Sequence, residues 1–191
     1  MTNYKNLFAI AIALFTASMC QAQSASSIAK KIRAGINIEA AFPTGDFGKA
    51  YSLGFGGSIM GRYAVSDKAN LTASLGYLSF TGKKITETIP VTDDAGNPQH
   101  DDAGNPMYET EKIKIPATHG IPLRLGANYT ISGPLFIQGE IGASFMKGGT
   151  AFLYAPGIGA RFNNLEVEAK YEGWSKNGTL SFFGVRVGYF F

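Results

Sequence analysis

Between Leu165 and Glu172 every second residue is charged: Glu166, Glu168, Lys170 and Glu172 alternate with Leu165, Val167, Ala169 and Tyr171. At two-residue spacing, side chains share one face of an extended strand, so these four charges project together. The same parity in other segments adds Arg33, Glu39, Arg62, Arg124, Glu140, Arg161 and Arg186, a set of six positive and five negative groups. Gathered into one space, such groups could select or conduct ions. They could also pair with each other and fill the space, because charges withdrawn from water must find partners. The near balance of signs favours pairing.

Other residues offer less. The hexapeptide Asp93-Asp94-Ala95-Gly96-Asn97-Pro98 recurs as Asp101-Asp102-Ala103-Gly104-Asn105-Pro106. Its carboxylates suit a hard cation such as Ca²⁺, but the distal bidentate Glu of a calcium loop is missing. Asp, Asn, Gly and Pro are also ordinary turn formers. The two histidines, His100 and His119, lie in no nucleophile motif, so neither a catalytic site nor a metal or cofactor site is expected. Lys and Arg are not clustered as a nucleic-acid footprint requires, and the formal net charge is only +3.

The elements that carry the charges are strands. Strict alternation recurs eight times, around residues 32–40, 53–63, 71–77, 121–129, 135–145, 152–162, 165–171 and 183–191. Each run sets an apolar face against a polar or glycine face, the mark of a strand with two unlike sides. Glycines such as Gly35, Gly54, Gly56, Gly126, Gly142 and Gly157 fall on the polar face. A solvated outer face has no reason to shed side chains, whereas the lumen of a small barrel has little room. The polar face therefore points inward and the Ile, Leu, Val and Phe face points out to lipid. Tyr63, Tyr129, Phe145, Phe162, Tyr171 and Tyr189 stand near strand ends, as interfacial aromatic girdles require. The expected fold is all-β: an eight-stranded antiparallel up-and-down transmembrane β-barrel.

Connections support the count. The second, fourth and sixth links are tight, near Asp67, Gly133 and Asn163-Asn164. The first, third, fifth and seventh are read as longer or more variable, with the third forming a long extracellular loop over about residues 82–118. Short periplasmic turns and longer outer loops characterise such barrels, which sets both termini on the periplasmic side. Alternating flanks, Lys83–Glu87 and Glu109–Lys114, predict a hairpin that continues beyond the membrane.

At the N-terminus, Lys5 precedes a short apolar stretch from Leu7 to Met19, followed by Cys20-Gln21-Ala22. This reads as a signal peptide over residues 1–22, cut between Ala22 and Gln23, leaving a single barrel domain of residues 23–191. The apolar run is too short for a spanning helix, which needs about 20 residues. With Cys20 removed, no cysteine remains to form a disulfide.

The export junction, the strands Ile121–Leu125 and Tyr154–Ala160, and the terminal Val187-Gly188-Tyr189-Phe190-Phe191 together resemble the small outer-membrane β-barrel proteins of Bacteroidota, within the broad OmpA-like, porin-family class. The resemblance implies the fold, a location in the cell outer membrane, and a C-terminal signal (Tyr189, Phe190, Phe191) read by the barrel assembly machinery. The expected partners are membrane lipid, that machinery and an extracellular ligand of the 82–118 loop. A monomer is expected.

The expected function is non-enzymatic: envelope structure, or extracellular interaction and adhesion. A narrow pore for ions or small solutes is the first alternative and a lipid-modifying enzyme the second. Two register expectations complete the reading. The Asn163-Asn164 turn sets Arg161 opposite Glu166, and pairing of Tyr129 with Leu135 sets Arg124 opposite Glu140.

Overall fold

In this computed structural model, residues 31–93, 95–101 and 103–191 are described. The expected signal peptide and cleavage site, with Cys20, lie outside them. Eight long strands close into one antiparallel barrel: β1 (Ile32–Pro43), β2 (Tyr51–Ala64), β3 (Ala69–Gly82), β6 (Thr118–Ser132), β7 (Leu135–Met146), β8 (Gly149–Phe162), β9 (Leu165–Ser175) and β10 (Thr179–Phe190). Each strand pairs with its neighbours in chain order, and β10 returns to β1 with Gly35 opposite Phe190. Between β3 and β6 the chain leaves the barrel as a separate two-stranded ribbon, β4 (Lys84–Pro90) and β5 (Tyr108–Lys114). One row of partners runs from Ala41 through Gly184, Lys170, Gly157, Gln138, Asn128, Asn70 and Ala64, and re-enters β1 at Lys31. That stagger tilts the strands and fixes a narrow lumen, which side chains of this size can fill.

The barrel is inverted relative to a soluble one. Ile38 is 70 % exposed and Phe55 61 %, whereas Arg124 and Glu172 are fully buried at 0 %. The outward aromatics form two belts. Phe42, Phe145, Phe152 and Phe183 ring the end that bears the ribbon, and Tyr63, Tyr129, Phe162 and Tyr189 ring the end that holds the chain termini. Ile36, Ile59, Leu75, Leu123, Ile141 and Val185 lie between them.

Two expectations need correction. The β6–β7 hairpin does not pair Tyr129 with Leu135. Strand β6 runs on to Ser132, opposite Leu135, and turns tightly at Gly133-Pro134, where Gly133 has φ +51. Ile131 is left over as a bulge, so Tyr129 meets Ile137. The two-residue offset keeps every side chain on its expected face but sets Arg124 opposite Gly142 and Glu140 opposite Gly126. The fifth link is also not long: Met146 pairs with Gly149, as tight a turn as Phe162 with Leu165. Only the first and third links are extended. The first forms a short helix, α1 (Gly45–Ala50), and the third the ribbon. The other hairpin holds its expected register. Asn163, with a left-handed φ of 52, turns the chain so that Arg161 faces Glu166.

Candidate functional site

The lumen is filled in three layers. At the ribbon end the inward positions change from charged to aromatic: Leu78, Phe80, Trp174 and Phe182 occupy the parity that carries Thr72, Glu172 and Arg186 deeper in. Phe47 of α1 completes this layer from above, its ring centroid 4.8 Å from Phe80 in an edge-on contact. Trp174 stands edge-on to Phe182 at 5.5 Å, and Phe80 lies 5.2 Å from Phe182. Thr44 seats α1 by donating its backbone N–H to the Ser181 carbonyl at 2.9 Å. The mouth is thereby capped with packed apolar rings.

Beneath the rings lies a closed ionic network. Arg124 reaches Glu172 at 3.0 Å and Glu39 at 3.3 Å. Lys170 bridges the same two carboxylates, at 3.0 Å from Glu39 and 2.8 Å from Glu172. The Trp174 indole donates to Glu172 at 2.7 Å and joins the network to the rings. Arg186 extends it to Glu140 at 3.3 Å and to Glu168. Glu140 therefore answers Arg186, and the expected partner Arg124 belongs to Glu39 and Glu172. The contacts of Arg124 with Glu39 and Glu172, of Lys170 with Glu39 and of Arg186 with Glu140 join non-adjacent strands across the lumen, whereas Arg186 and Glu168 are direct neighbours in the β9–β10 ladder.

The third layer, toward the termini, combines ions with rings. Glu166 accepts from both Arg62 and Arg161, the latter at 3.0 Å. Arg62 lies 3.9 Å over the Phe190 ring, and Arg161 4.9 Å over Phe136, a geometry in which the ring faces attract the cations. Arg33 faces inward at the lip, and its guanidinium donates to the main-chain carbonyl of Phe190 at 3.1 Å. Among the described residues it makes no ion pair. Of the terminal aromatics, Phe190 is buried in the lumen, while Tyr189 and Phe191 face out and meet edge-on at 5.4 Å.

Sequence parity held a signal for the aromatic layers that the charge pattern overshadowed. Leu78, Phe80, Phe136, Trp174, Phe182 and Phe190 all sit on the polar parity, where an apolar residue has to face the lumen. No such signal existed for α1, because one Phe in a link does not say where it packs.

Outside the barrel, the described residues of the ribbon and its two-leaved tip are exposed apart from Ile85 and Val91, which are half-buried. Val91, Gln99 and Met107 join in a ring of backbone hydrogen bonds, with N–H to carbonyl distances of 2.7–2.9 Å. The two hexapeptide repeats form the leaves. The Asp93 carboxylate accepts the backbone N–H groups of Ala95 and Asn97, both at 2.9 Å. Asp101 does the same for Ala103 and Asn105, at 2.9 and 2.8 Å. These bonds, those from the Asn97 and Asn105 amides first, hold both carboxyls below the ordinary 3.8. The Asp93 and Asp101 carboxylates are thus engaged in shaping their own turns, while Asp94 and Asp102, the other carboxylates of the repeats, lie outside the described residues. His100 sits in the tip, paired with Pro106. His119 turns outward at the barrel lip and stacks on Tyr77 at 5.8 Å.

Comparison with known proteins agrees with this architecture. No protein-family model matches the chain and no curated protein matches it with significance. Among solved structures, the crystal structure of Ail, the attachment invasion locus protein of Yersinia pestis, superposes with a TM-score of 0.51 at 13 % identity, covering 84 % of this chain and 98 % of that one. The backbone structure of Ail in a phospholipid bilayer nanodisc gives 0.50 at 14 % identity, covering 83 % and 99 %. The N-terminal β-barrel domain of Pseudomonas aeruginosa OprF matches more loosely, at 0.42 and 19 % identity over 82 % and 97 %. The fold is that of the eight-stranded outer-membrane barrels.

Proposed function

We propose that this chain is a non-enzymatic, non-conducting outer-membrane barrel whose working surface is the projecting β4–β5 ribbon. The carrying observation is the combination of an apolar belted exterior with a lumen closed by rings above and ion pairs below. An exterior of this kind is costly in water and at home in lipid, where a closed barrel leaves no backbone group unpaired. With the interior occupied, the region that projects to meet a partner among the described residues is the ribbon, which shares no hydrogen-bonded ladder with the barrel strands.

In this reading the ribbon is extracellular, both termini are periplasmic, the barrel acts as a monomer, and Tyr189, Phe190 and Phe191 are recognised during assembly. The test is made on intact cells. Added protease should cut within residues 82–118 and spare the Asn163-Asn164 turn, and cells whose chain lacks residues 84–114 should lose attachment to their surface or partner while still displaying the barrel. Cleavage at Asn163-Asn164 with the ribbon spared would invert the orientation. Unchanged attachment after ribbon deletion would remove the ribbon from the function.

A further inference from the structure

The positive charges are divided between lumen and rims, with Lys170 the one lysine among the described residues that is buried in the lumen. All five arginines lie on inward-facing positions. The ribbon-end mouth carries lysines instead, set around its circumference in three places. Lys83 stands beside α1, with Nζ 2.6 Å from the Gly48 carbonyl. Lys84, Lys112 and Lys114 occupy one face of the first rungs of the ribbon. Lys147 and Lys176 lie across the mouth in neighbouring turns, where Lys176 reaches the Gly148 carbonyl.

All six are exposed, and among the described residues none has a carboxylate within 4.0 Å. The seventh lysine here, Lys49, is the one with a partner, Asp46 at 2.7 Å. The terminal end is different: among the described residues its exposed lysines, Lys31 and Lys68, share the rim with Asp67. Within the ribbon, Lys84 stands directly across from Lys114, a like-charge pairing that weakens an isolated ribbon. The ribbon's glutamates, Glu87, Glu109 and Glu111, lie on the opposite face and farther from the barrel, so they do not relieve it.

We infer that this lysine collar binds the phosphate-bearing headgroups of the leaflet that surrounds the mouth. The inference rests on the membrane reading above. The collar stands just beyond the outward belt of Phe42, Phe145, Phe152 and Phe183, the level at which acyl chains give way to headgroups. Lysine suits the task, being a compact charge on a flexible stem that can reach down to a phosphate. The acidic outer ribbon is then repelled from the same surface and held upright.

The test uses the full mature chain refolded into phosphatidylcholine vesicles, with electron spin resonance of spin-labelled phosphatidic acid and phosphatidylcholine at the barrel surface. Wild type should prefer the phosphatidic acid label by about fivefold, the factor that one engaged lysine contributes, and molar salt should abolish the preference. Combined substitution of the six (Lys83→Gln, Lys84→Gln, Lys112→Gln, Lys114→Gln, Lys147→Gln, Lys176→Gln) should remove it, and Lys147→Gln with Lys176→Gln alone should reduce it. Lys31→Gln with Lys68→Gln should leave it intact. An inserted wild type with no preference overturns the collar alone, as does a preference that survives the sixfold variant. Binding of a soluble sulfated polymer without any lipid preference would also overturn it, assigning the lysines to a polymer. Failure of wild type to insert at all overturns the membrane reading, and the collar with it.

Discussion

At the scale of single residues, the central device is Arg124, fully buried between Glu39 and Glu172. Removing it leaves Glu39 and Glu172 to share Lys170, one cation short in a space that water does not flood, and breaking a buried pair in this way costs about 3–5 kcal/mol. Arg124→Met should therefore lower the urea midpoint for unfolding from vesicles. In double-mutant cycles the coupling of Arg124 with Glu172→Gln should exceed that with Glu140→Gln, because Glu140 is held by Arg186. Equal couplings would show that the network acts without specific partners.

The tip aspartates give a second test. Their folded pKa values lie below the ordinary 3.8, so the carboxylates stabilise the leaves at any pH above that value. This contribution fades as pH falls through the lowered pKa and is absent at still lower pH. Amide protection at Ala95, Asn97, Ala103 and Asn105, taken relative to the intrinsic exchange rate at each pH, should fall on acidification, and Asp93→Ala should produce the same loss in the first leaf at neutral pH. The identities of the lumen charges were legible from parity, as was the Arg161–Glu166 pair. The partners of Arg124, the Lys170–Glu39 pair and the Arg186–Glu140 pair were not, because a contact across a lumen joins residues on non-adjacent strands and no local spacing encodes it.

At the scale of elements, close packing of strand against strand explains the inward glycines. A Cβ on Gly142 would collide with the Leu123 carbonyl and lie 3.1 Å from the Arg124 Cα, whereas one on Gly139 would meet nothing within 4 Å. Three residues apart in β7, the two positions should respond oppositely. Gly142→Val should cost about 1–3 kcal/mol, the usual range for overpacking, and slow the gel-mobility shift that reports barrel closure. Gly139→Val adds an apolar group to the outer face and should be neutral. Equal effects would contradict the assignment of faces. All eight strands were visible in the sequence because each has one apolar and one polar side. The β6–β7 register was not, since a bulge at Ile131 consumes one residue without altering the alternation on either side of it. The ribbon's strands were visible through alternation in Lys83–Glu87 and Glu109–Lys114, although the ring joining Val91, Gln99 and Met107 was not.

At the scale of the whole molecule, the protein is a barrel turned inside out and filled. Apolar side chains face outward between two aromatic belts, Phe47, Phe80, Trp174 and Phe182 cap the ribbon end, paired charges fill the middle, and ions stacked on Phe136 and Phe190 fill the terminal end. The sequence showed how many charges had to share the lumen but not that they would lie beneath a ring cap, because α1 enters from a link whose packing partner is distant in the chain. A filled lumen separates this molecule from a pore of the same strand number, and conductance is its most direct test. The purified full chain, refolded and inserted into planar bilayers in molar potassium chloride, should give no discrete current steps across a range of voltages, while Phe47→Ala with Trp174→Ala should produce brief, irregular openings at most. Steady, uniform steps from the wild-type chain would contradict the sealed lumen and place the molecule among the pores.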